Sequence, residues 1–439
     1  MGSKFPMIPI PQAQAIVLEQ TRALGSEAVP LQDALGRILY APVTSPDSVP
    51  PFPASVKDGY AVVASDGAGD FEVVGEARAG VMDEVRVQAG TVAYITTGAP
   101  VPPGADAVVQ IEDTQPLDVA PNGRKRVRIL KRVPAGHDIR PVGSDIQQGS
   151  LVLDRGDRVG VAEVGILATV GAVEQLAVFR RPHVGVLSTG DEVVDPCVQE
   201  LGPGLIRDAN RSMLIAAAAQ AGYQVTDLGI ARDTQGDVAG CLDSAIAKGV
   251  DVLITTGGVS MGDRDWVKPL LEAKGTIHFG RVLMKPGKPL TFATLELPQG
   301  RQMLVFGLPG NPVSSFVCFH LVALPALRKM AGWAAPGLRR VHVRLANDIK
   351  MDPERPEYHR ATLQYSKCPA SIPGVDASAY GWWALSTGKQ ASSRLLSARS
   401  ANTLLEIPQT SGILPAGSTV PALLIEDLQG MPEPHAVDP

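Results

Sequence analysis

Between residues 182 and 335 short apolar runs alternate with amphipathic stretches, and this alternation restricts the fold more than any other feature of the chain. The runs are HVGVLST, QVTDLGI, DVLITT, TIHFGRVLM, PLTFATL and MLVFGL. The stretches between them have helical period: one opened by Asp208, one near 235–248, one over 263–274 and one starting at Pro312. Asp208 can cap free N–H groups, and Pro312 suits a first helical position. Strand–helix alternation of this kind predicts a mainly parallel, doubly wound α/β sheet covered on both faces.

Ligands of such sheets bind outside the carboxyl ends of the strands. The residues that follow the runs are therefore the candidates. They are Thr189-Gly190-Asp191-Glu192, then Arg232-Asp233, then the loop from Thr256 to Asp265, which carries Gly257, Gly258, Ser260, Gly262 and Asp263. Lys285-Pro286-Gly287-Lys288-Pro289 and Pro309-Gly310-Asn311-Pro312-Val313-Ser314 complete the set. Glycines beside a helix start let backbone N–H groups approach an anion, although a tight strand-to-helix turn would use them too. Lys285 and Lys288 flank a Pro-Gly turn, where two ammonium groups can bind a dianion or stay as solvated lysines. Asp233 and Asp265 lie on neighbouring loops and suit Mg²⁺, which takes one or two carboxylates plus phosphate and water; helix capping is the alternative for Asp265. No G-x-x-x-x-G-K-[ST] sequence is present, and the G-P-G at 202–204 lacks a preceding strand.

The flanking regions differ in period. Residues 8–45 read as helical, followed by a Pro-rich connector over 41–55, and helical period returns at 157–171. Short alternating runs from 58 to about 142, separated by turns such as Pro102-Pro103-Gly104, predict a small β domain. The expected partition is a discontinuous helical domain of 8–55 and 143–181, an inserted β domain of 56–142, the α/β domain of 182–335, and a C-terminal β-barrel or sandwich of 336–430. In that last region two prolines hold Arg355 extended, and Ser392-Ser393-Arg394 offers hydroxyls and a cation. A guanidinium matches a tetrahedral oxyanion, though Arg355 could equally sit in a surface ion pair. His320, inside an apolar helix, reads as a core residue with its polar atoms satisfied. Lys57-Asp58-Gly59-Tyr60 and Thr96-Thr97-Gly98 read as turns when taken alone.

Composition narrows the partners. A net charge of -5 over 439 residues gives no bulk attraction for nucleic acid or membrane, so any anion must be held locally. Cys197, Cys241, Cys318 and Cys368 form no C-x-x-C pair, which suits a reducing compartment and a cytosolic protein. The start lacks a signal-peptide run, and the apolar stretch from Val313 to Leu327 reads as too short and too polar to span a bilayer.

An ordered series of motifs resembles the MoeA/gephyrin E-domain family of molybdenum insertases, most closely its plant-type E domains. It comprises SVKDGYAV at 55–62, TTGAPVPPGADAVV at 96–109, GSDI at 143–146, STGDE at 188–192 and IRDANR at 206–211. GGVSMGDRDW at 257–266, LMKPGKPLTF at 283–292, GLPGNPVS at 307–314, RPEYHRA at 355–361 and SSRLLSARSANTLLEIP at 392–408 follow. The resemblance implies a helical linker domain, an inserted β domain, a molybdopterin-binding α/β domain and a C-terminal β-barrel, assembled as a homodimer. It implies insertion of molybdate into adenylylated molybdopterin, with divalent-cation-dependent hydrolysis of the adenylate and release of AMP. Asp233 and Asp265 would hold the metal, Lys285 and Lys288 would handle phosphate or molybdate, and Arg355, Ser392 and Pro289 would complete the molybdate site. The loops carrying Gly257, Gly258, Ser260, Pro309, Gly310, Asn311 and Ser314 would hold substrate, while Asp58 and Thr97 would come from the partner chain. Glu192 and Asp145 match functional carboxylates without an assignable role. The family usually joins this unit to a separate adenylylating domain, so another protein is expected to supply the substrate and molybdoenzymes or a carrier to accept the cofactor. An adenylyltransferase would not need the flanking domains, and a receptor-clustering scaffold would leave the carboxylates and lysines idle.

Overall fold

The computed structural model describes residues 5–80, 85–258, 266–369, 372, 375–376, 378, 380–426 and 428. Two compact units emerge, Ala28–Val178 and a larger one made of Met1–Glu27 with Phe179–Pro439.

The first helix of the larger unit is α1 (Ile10–Gln20). Its sheet contains β1 (His183–Thr189), β2 (Gln224–Ala231), β3 (Val252–Thr256), β4 (Thr276–Phe279), β5 (Thr291–Glu296) and β6 (Gln302–Leu308). Between them run α2 (Ala209–Gln220), α3 (Gln235–Ala247) and α4 (Val267–Lys274), and α5 (Pro312–Met330) follows. The strand order is β2-β1-β3-β6-β5-β4. Four strands pair in parallel; β5 pairs antiparallel with both β6 and β4, so β5 alone runs against the rest of the sheet. Side chains alternate across the strands as a pleat requires. Val252 and Ile254 face α1, α2 and α5, while Leu253 faces α3 and α4. Burial on both faces explains the continuous apolar runs.

Helix starts follow the local chemistry. Asp208 accepts from the backbone N–H of Arg211 at 3.0 Å and caps α2. Helix α5 departs from regularity over a π turn, Phe319–Ala323. Pro325 has no N–H for the Leu321 carbonyl, and Gln14 of α1 donates to that oxygen instead at 3.0 Å. By length and composition α5 could cross a membrane, being longer than the apolar run within it suggests, but 83% of its apolar window is buried inside the unit. His320 lies in the π turn, buried edge-on against Phe316 and Phe319. It is a core residue as expected, but both ring nitrogens lack a hydrogen-bond partner.

A closed barrel follows: β7 (Arg340–Leu345), β8 (Glu357–Lys367), β9 (Tyr380–Ser386), β10 (Thr403–Ile407) and β11 (Thr419–Leu424), in the order β7-β9-β8-β10-β11. Val343, Leu345, Leu363, Ala384, Leu405 and Val420 fill it.

The second unit holds a six-stranded sheet in the order Ala107–Gln110, Gly59–Val62, Thr91–Ile95, Gly69–Ala77, Arg126–Ile129 and Thr114–Leu117. Helix Val161–Thr169 packs Leu167 with Leu39, Val159 and Val178. The helical reading of 8–45 holds only for α1 and one 3-10 turn, Leu31–Asp33. Gly25, Pro30 and Gly36, the last at φ 74°, interrupt the period, and leucine spacing alone does not register those breaks.

Candidate active site

The chain leaves β1 for β2 on one side and crosses back to β3 on the other, so the loops after β1 and β3 diverge at a topological switch point. Registers Ser188↔Thr256 and Thr256↔Leu308 bring the ends of β1, β3 and β6 level. Gly257 and Gly258 have φ of 84° and 63°, which glycine alone adopts freely. A Cβ on Gly257 would stand 2.6 Å from the Thr189 carbonyl oxygen, and one on Gly258 would stand 2.8 Å from Thr189 Oγ1. The two loops therefore touch through backbone. Asn210 fastens the third loop to them, donating to Thr256 Oγ1 at 2.6 Å and to the Gly310 carbonyl at 2.8 Å.

Asp233 and Asp191 form a reciprocal pair on the loops after β2 and β1. The Asp191 N–H donates to Asp233 Oδ2 at 3.4 Å, and the Asp233 N–H donates to Asp191 Oδ1 at 3.2 Å. Trp266 Nε1 donates to the Asp233 carbonyl at 3.1 Å. Glu192 is exposed on the same loop as Asp191. Ser260, Gly262, Asp263 and Asp265 lie outside the described residues.

Lys285 and Lys288 reach the carboxyl edge by a route that the sequence does not suggest. The strand before them ends at Phe279, and Val282–Leu283 pairs with Ile8–Pro9 instead of the main sheet. Their turn leads into β5, whose first residue, Thr291, is level with Gly307 near the end of β6. Because β5 is antiparallel, its amino end lies beside the carboxyl ends of the parallel strands. Both a parallel and an antiparallel edge strand give one apolar run, so the sequence could not separate them.

Lys285 is already ion-paired: its Nζ lies 2.9 Å from Glu357 Oε2 and 3.2 Å from Asp352 Oδ2. Partial burial works against its charge, but Glu357 and Asp352 outweigh it and hold the ammonium above the ordinary lysine value. Burial would raise the Glu357 carboxyl, yet His359 and Lys285 keep it below the usual glutamate value. Asp352 is likewise held low against burial, by the Glu354 N–H and by Lys285. Arg355 Nη2 stands 3.9 Å from the same Asp352 oxygen. The structure thus joins Lys285 and Arg355 at one carboxylate. Lys288 is exposed, with no ion pair among the described residues, and Pro289 beside it is half-buried.

Ser392 comes to the start of α5, where its carbonyl accepts the Val313 N–H at 3.1 Å. Asn311 is exposed and makes no side-chain cap there, Gly310 is exposed, and Pro309 and Ser314 are buried. Beyond Ser392 an open cleft of about 610 Å³ is lined by Met213, Phe316, Ser393, Arg394, Leu395 and Leu396, among others.

In the second unit, exposed Asp58 Oδ1 accepts from the Thr97 backbone N–H at 2.6 Å and from Thr97 Oγ1 at 3.0 Å. These hydrogen bonds lower its pKa. Asp145 pairs with Arg140.

Sequence reasoning assigned no role to Asn210, Asp352, Glu357 or His359. Asn210 and the pair Glu357 and His359 lie within motifs already singled out, IRDANR and RPEYHRA, but their contacts cross the chain by 100 residues for Asn210–Gly310 and by 27 for His359–Ser386. No local pattern encodes them.

Residues 8–171 match the MoeA N-terminal region (domain I and II), 185–329 a probable molybdopterin binding domain, and 342–425 the MoeA C-terminal region (domain IV). The chain is 39% identical to "Gephyrin" of Dictyostelium discoideum over 97% of its own length, and it spans 63% of that relative. It is 33% identical to "Molybdopterin molybdenumtransferase" of Bacillus subtilis over 100% of this chain and 98% of the relative. Among solved structures, the molybdopterin biosynthesis MoeA protein of Pyrococcus horikoshii superposes with a TM-score of 0.78 at 29% identity, over 96% of this chain and 100% of that one. With all three regions in order and a relative of nearly its own length, the chain belongs to the MoeA family.

Proposed function

We propose that the protein acts in molybdenum cofactor biosynthesis as a molybdopterin molybdenumtransferase, inserting molybdate into adenylylated molybdopterin while hydrolysing the adenylate to release AMP. The observation that carries this reading is the meeting of three glycine-bearing loops, after β1, β3 and β6, at the switch point of the sheet. Backbone exposed by Gly257, Gly258 and Gly310, with the start of α5, suits the phosphates of an adenylate. Pro309, Asn311, Ser314 and Ser260 belong to the same loops. Arg355 and Lys285, with Lys288 and Ser392, supply the donors for a tetrahedral oxyanion, and Pro289 lies beside Lys288 in the same turn.

The reciprocal carboxylates of Asp191 and Asp233 are hard oxygen donors, which fits a divalent cation such as Mg²⁺. Asp233 would hold it, with Asp265 from the adjoining loop; when bound, it supplies charge neutralisation on the pyrophosphate. Trp266 and the Asp191 N–H keep Asp233 in position for that task. The same reading takes Asp58 and Thr97 from the partner of a homodimer, leaves Glu192 and Asp145 as carboxylates without an assigned step, and keeps the four-domain partition. It places the protein in the cytosol, supplied by a separate adenylyltransferase and serving molybdoenzymes or a carrier.

Purified protein given adenylylated molybdopterin, Mg²⁺ and molybdate should release AMP and activate an apo-molybdoenzyme. Asp233→Asn should slow AMP release by about 10²-fold, the scale of losing one preorganised electrostatic contact. AMP release at the unaltered rate would remove Asp233 from the reaction, and failure of the native chain to activate the acceptor would sink the reading itself.

A further inference from the structure

Two of the three cations assigned to the oxyanion are already matched by two carboxylates. Lys285 contacts Glu357 and Asp352, and Arg355 shares the Asp352 oxygen. With a neutral His359 the cluster has no net charge. The Asp352 and Glu357 side chains are only 15% and 4% exposed, so charge that arrives beside them is weakly screened. A dianion at Lys285 and Arg355 brings one charge more than Lys288 can match, and a proton is the smallest compensation that can be supplied.

The cluster ends in a group arranged to take one. Glu357 uses both oxygens: Oε2 accepts from Lys285, and Oε1 lies 3.0 Å from His359 Nδ1. His359 Nε2 lies 2.8 Å from Ser386 Oγ, and the Gly388 N–H donates to that same oxygen at 3.2 Å. A carboxylate only accepts, so Nδ1 carries the hydrogen of the neutral ring and Nε2 accepts from the Ser386 hydroxyl. If that hydroxyl rotates, its oxygen can accept from a protonated Nε2 with no heavy atom displaced. Ser386 is half-buried. Of the charged groups, Glu357 faces His359 directly, with Lys285, Asp352 and Arg355 behind it. From β10, Leu405 stands opposite His359 in register. Arg360, next along β8, turns its guanidinium to Ser397 on the other face.

We propose that oxyanion binding at Lys285 and Arg355 is coupled to uptake of a proton by the Glu357–His359–Ser386 chain. These are positioning residues: they hold Lys285 in place when the site is empty and balance its partners when the site is filled. The proton comes from solvent onto His359 Nε2, and no bond between heavy atoms changes. The inference rests on the reading that Lys285 and Arg355 receive the oxyanion.

Calorimetric titration of the full chain with molybdate alone, near neutral pH in PIPES and in Tris, tests it. The apparent enthalpy should differ between the buffers by an amount equal to uptake of up to about one proton. Affinity for molybdate should weaken as pH rises, by up to about tenfold per pH unit for one proton taken up. His359→Gln keeps hydrogen-bonding capacity without titrating, so it should bind molybdate with a buffer-independent enthalpy. Ser386→Ala, which removes the acceptor for Nε2–H, should lower the uptake and covers the case of a poorly folded glutamine variant. A buffer-independent enthalpy in the native chain, or full uptake in folded His359→Gln, overturns the coupling while leaving the molybdate site intact. No molybdate binding at all overturns the oxyanion assignment, and the coupling with it.

Discussion

Side chains decide little at the switch point; their absence decides more. Gly257 cannot be replaced without driving a methyl group against the Thr189 carbonyl at 2.6 Å, in a backbone conformation that L residues resist. Gly310 is different, because its added Cβ would meet only the Gly257 Cα at 3.9 Å, an ordinary contact. Gly257→Ala should therefore lower unfolding free energy by about 1–3 kcal/mol. Gly310→Ala should stay within about 0.5 kcal/mol of the native chain. Urea denaturation of both variants checks the contrast, and equal losses would contradict it. At this scale the sequence was informative, since glycines, carboxylates and lysines after apolar runs mark a sheet edge. It did not show that Lys285 arrives already paired. That depends on Glu357, 72 residues later in a different sheet, and pairing over such separation leaves no periodic trace.

Among the elements, α5 joins a regular start to an irregular middle. Pro325 leaves the Leu321 carbonyl without its helical donor, and the π turn widens the backbone just before it. Gln14, 307 residues away in the sequence, supplies the donor. Gln14→Ala should then cost about 1–2 kcal/mol of stability, the price of an unsatisfied buried acceptor, read from chemical denaturation. A variant as stable as the native chain would show that water replaces the amide. The helices after β1, β2 and β6 were legible because a capping Asp, a long amphipathic period or an N1 proline stood at each. Residues 21–45 were misread because their leucines fall at helical spacing while Gly25, Pro30 and Gly36 prevent the helix. Steric breaks outweigh apolar spacing when the segment is short.

For the whole molecule, pH acts through its core. Burial, with the positive field of Arg328, pushes His320 down to about 3. The unfolded chain therefore binds a proton there that the folded chain refuses, so the stability is fully present above about pH 6.5 and is lost as pH falls toward about 3. Unfolding free energy should drop by up to about 1.4 kcal/mol per pH unit in that window from this residue alone. His320→Leu should flatten the acid slope by one proton, measured from urea midpoints across the window; an unaltered slope would assign the loss to other groups. The doubly wound sheet was readable from the order of apolar runs; at the C-terminus those runs left a barrel or a sandwich open, and the family resemblance pointed to the barrel. The junction between barrel and sheet was not readable, because it is made by backbone as well as by charge.

At that junction Lys285 and Glu357 bridge as paired strands do: the Lys285 N–H donates to the Pro356 carbonyl, and the Tyr358 N–H donates to Lys285. The barrel is therefore not an exchangeable module. An α/β fragment cut before β7 would keep its three glycine loops yet leave Lys285 with neither its counter-ions nor its backbone anchor. A chimera with a foreign barrel would restore the lysine only if the graft reproduced the spacing from Asp352 to Glu357. Recombination within such a chain is constrained to break points that keep this loop and β8 in common descent.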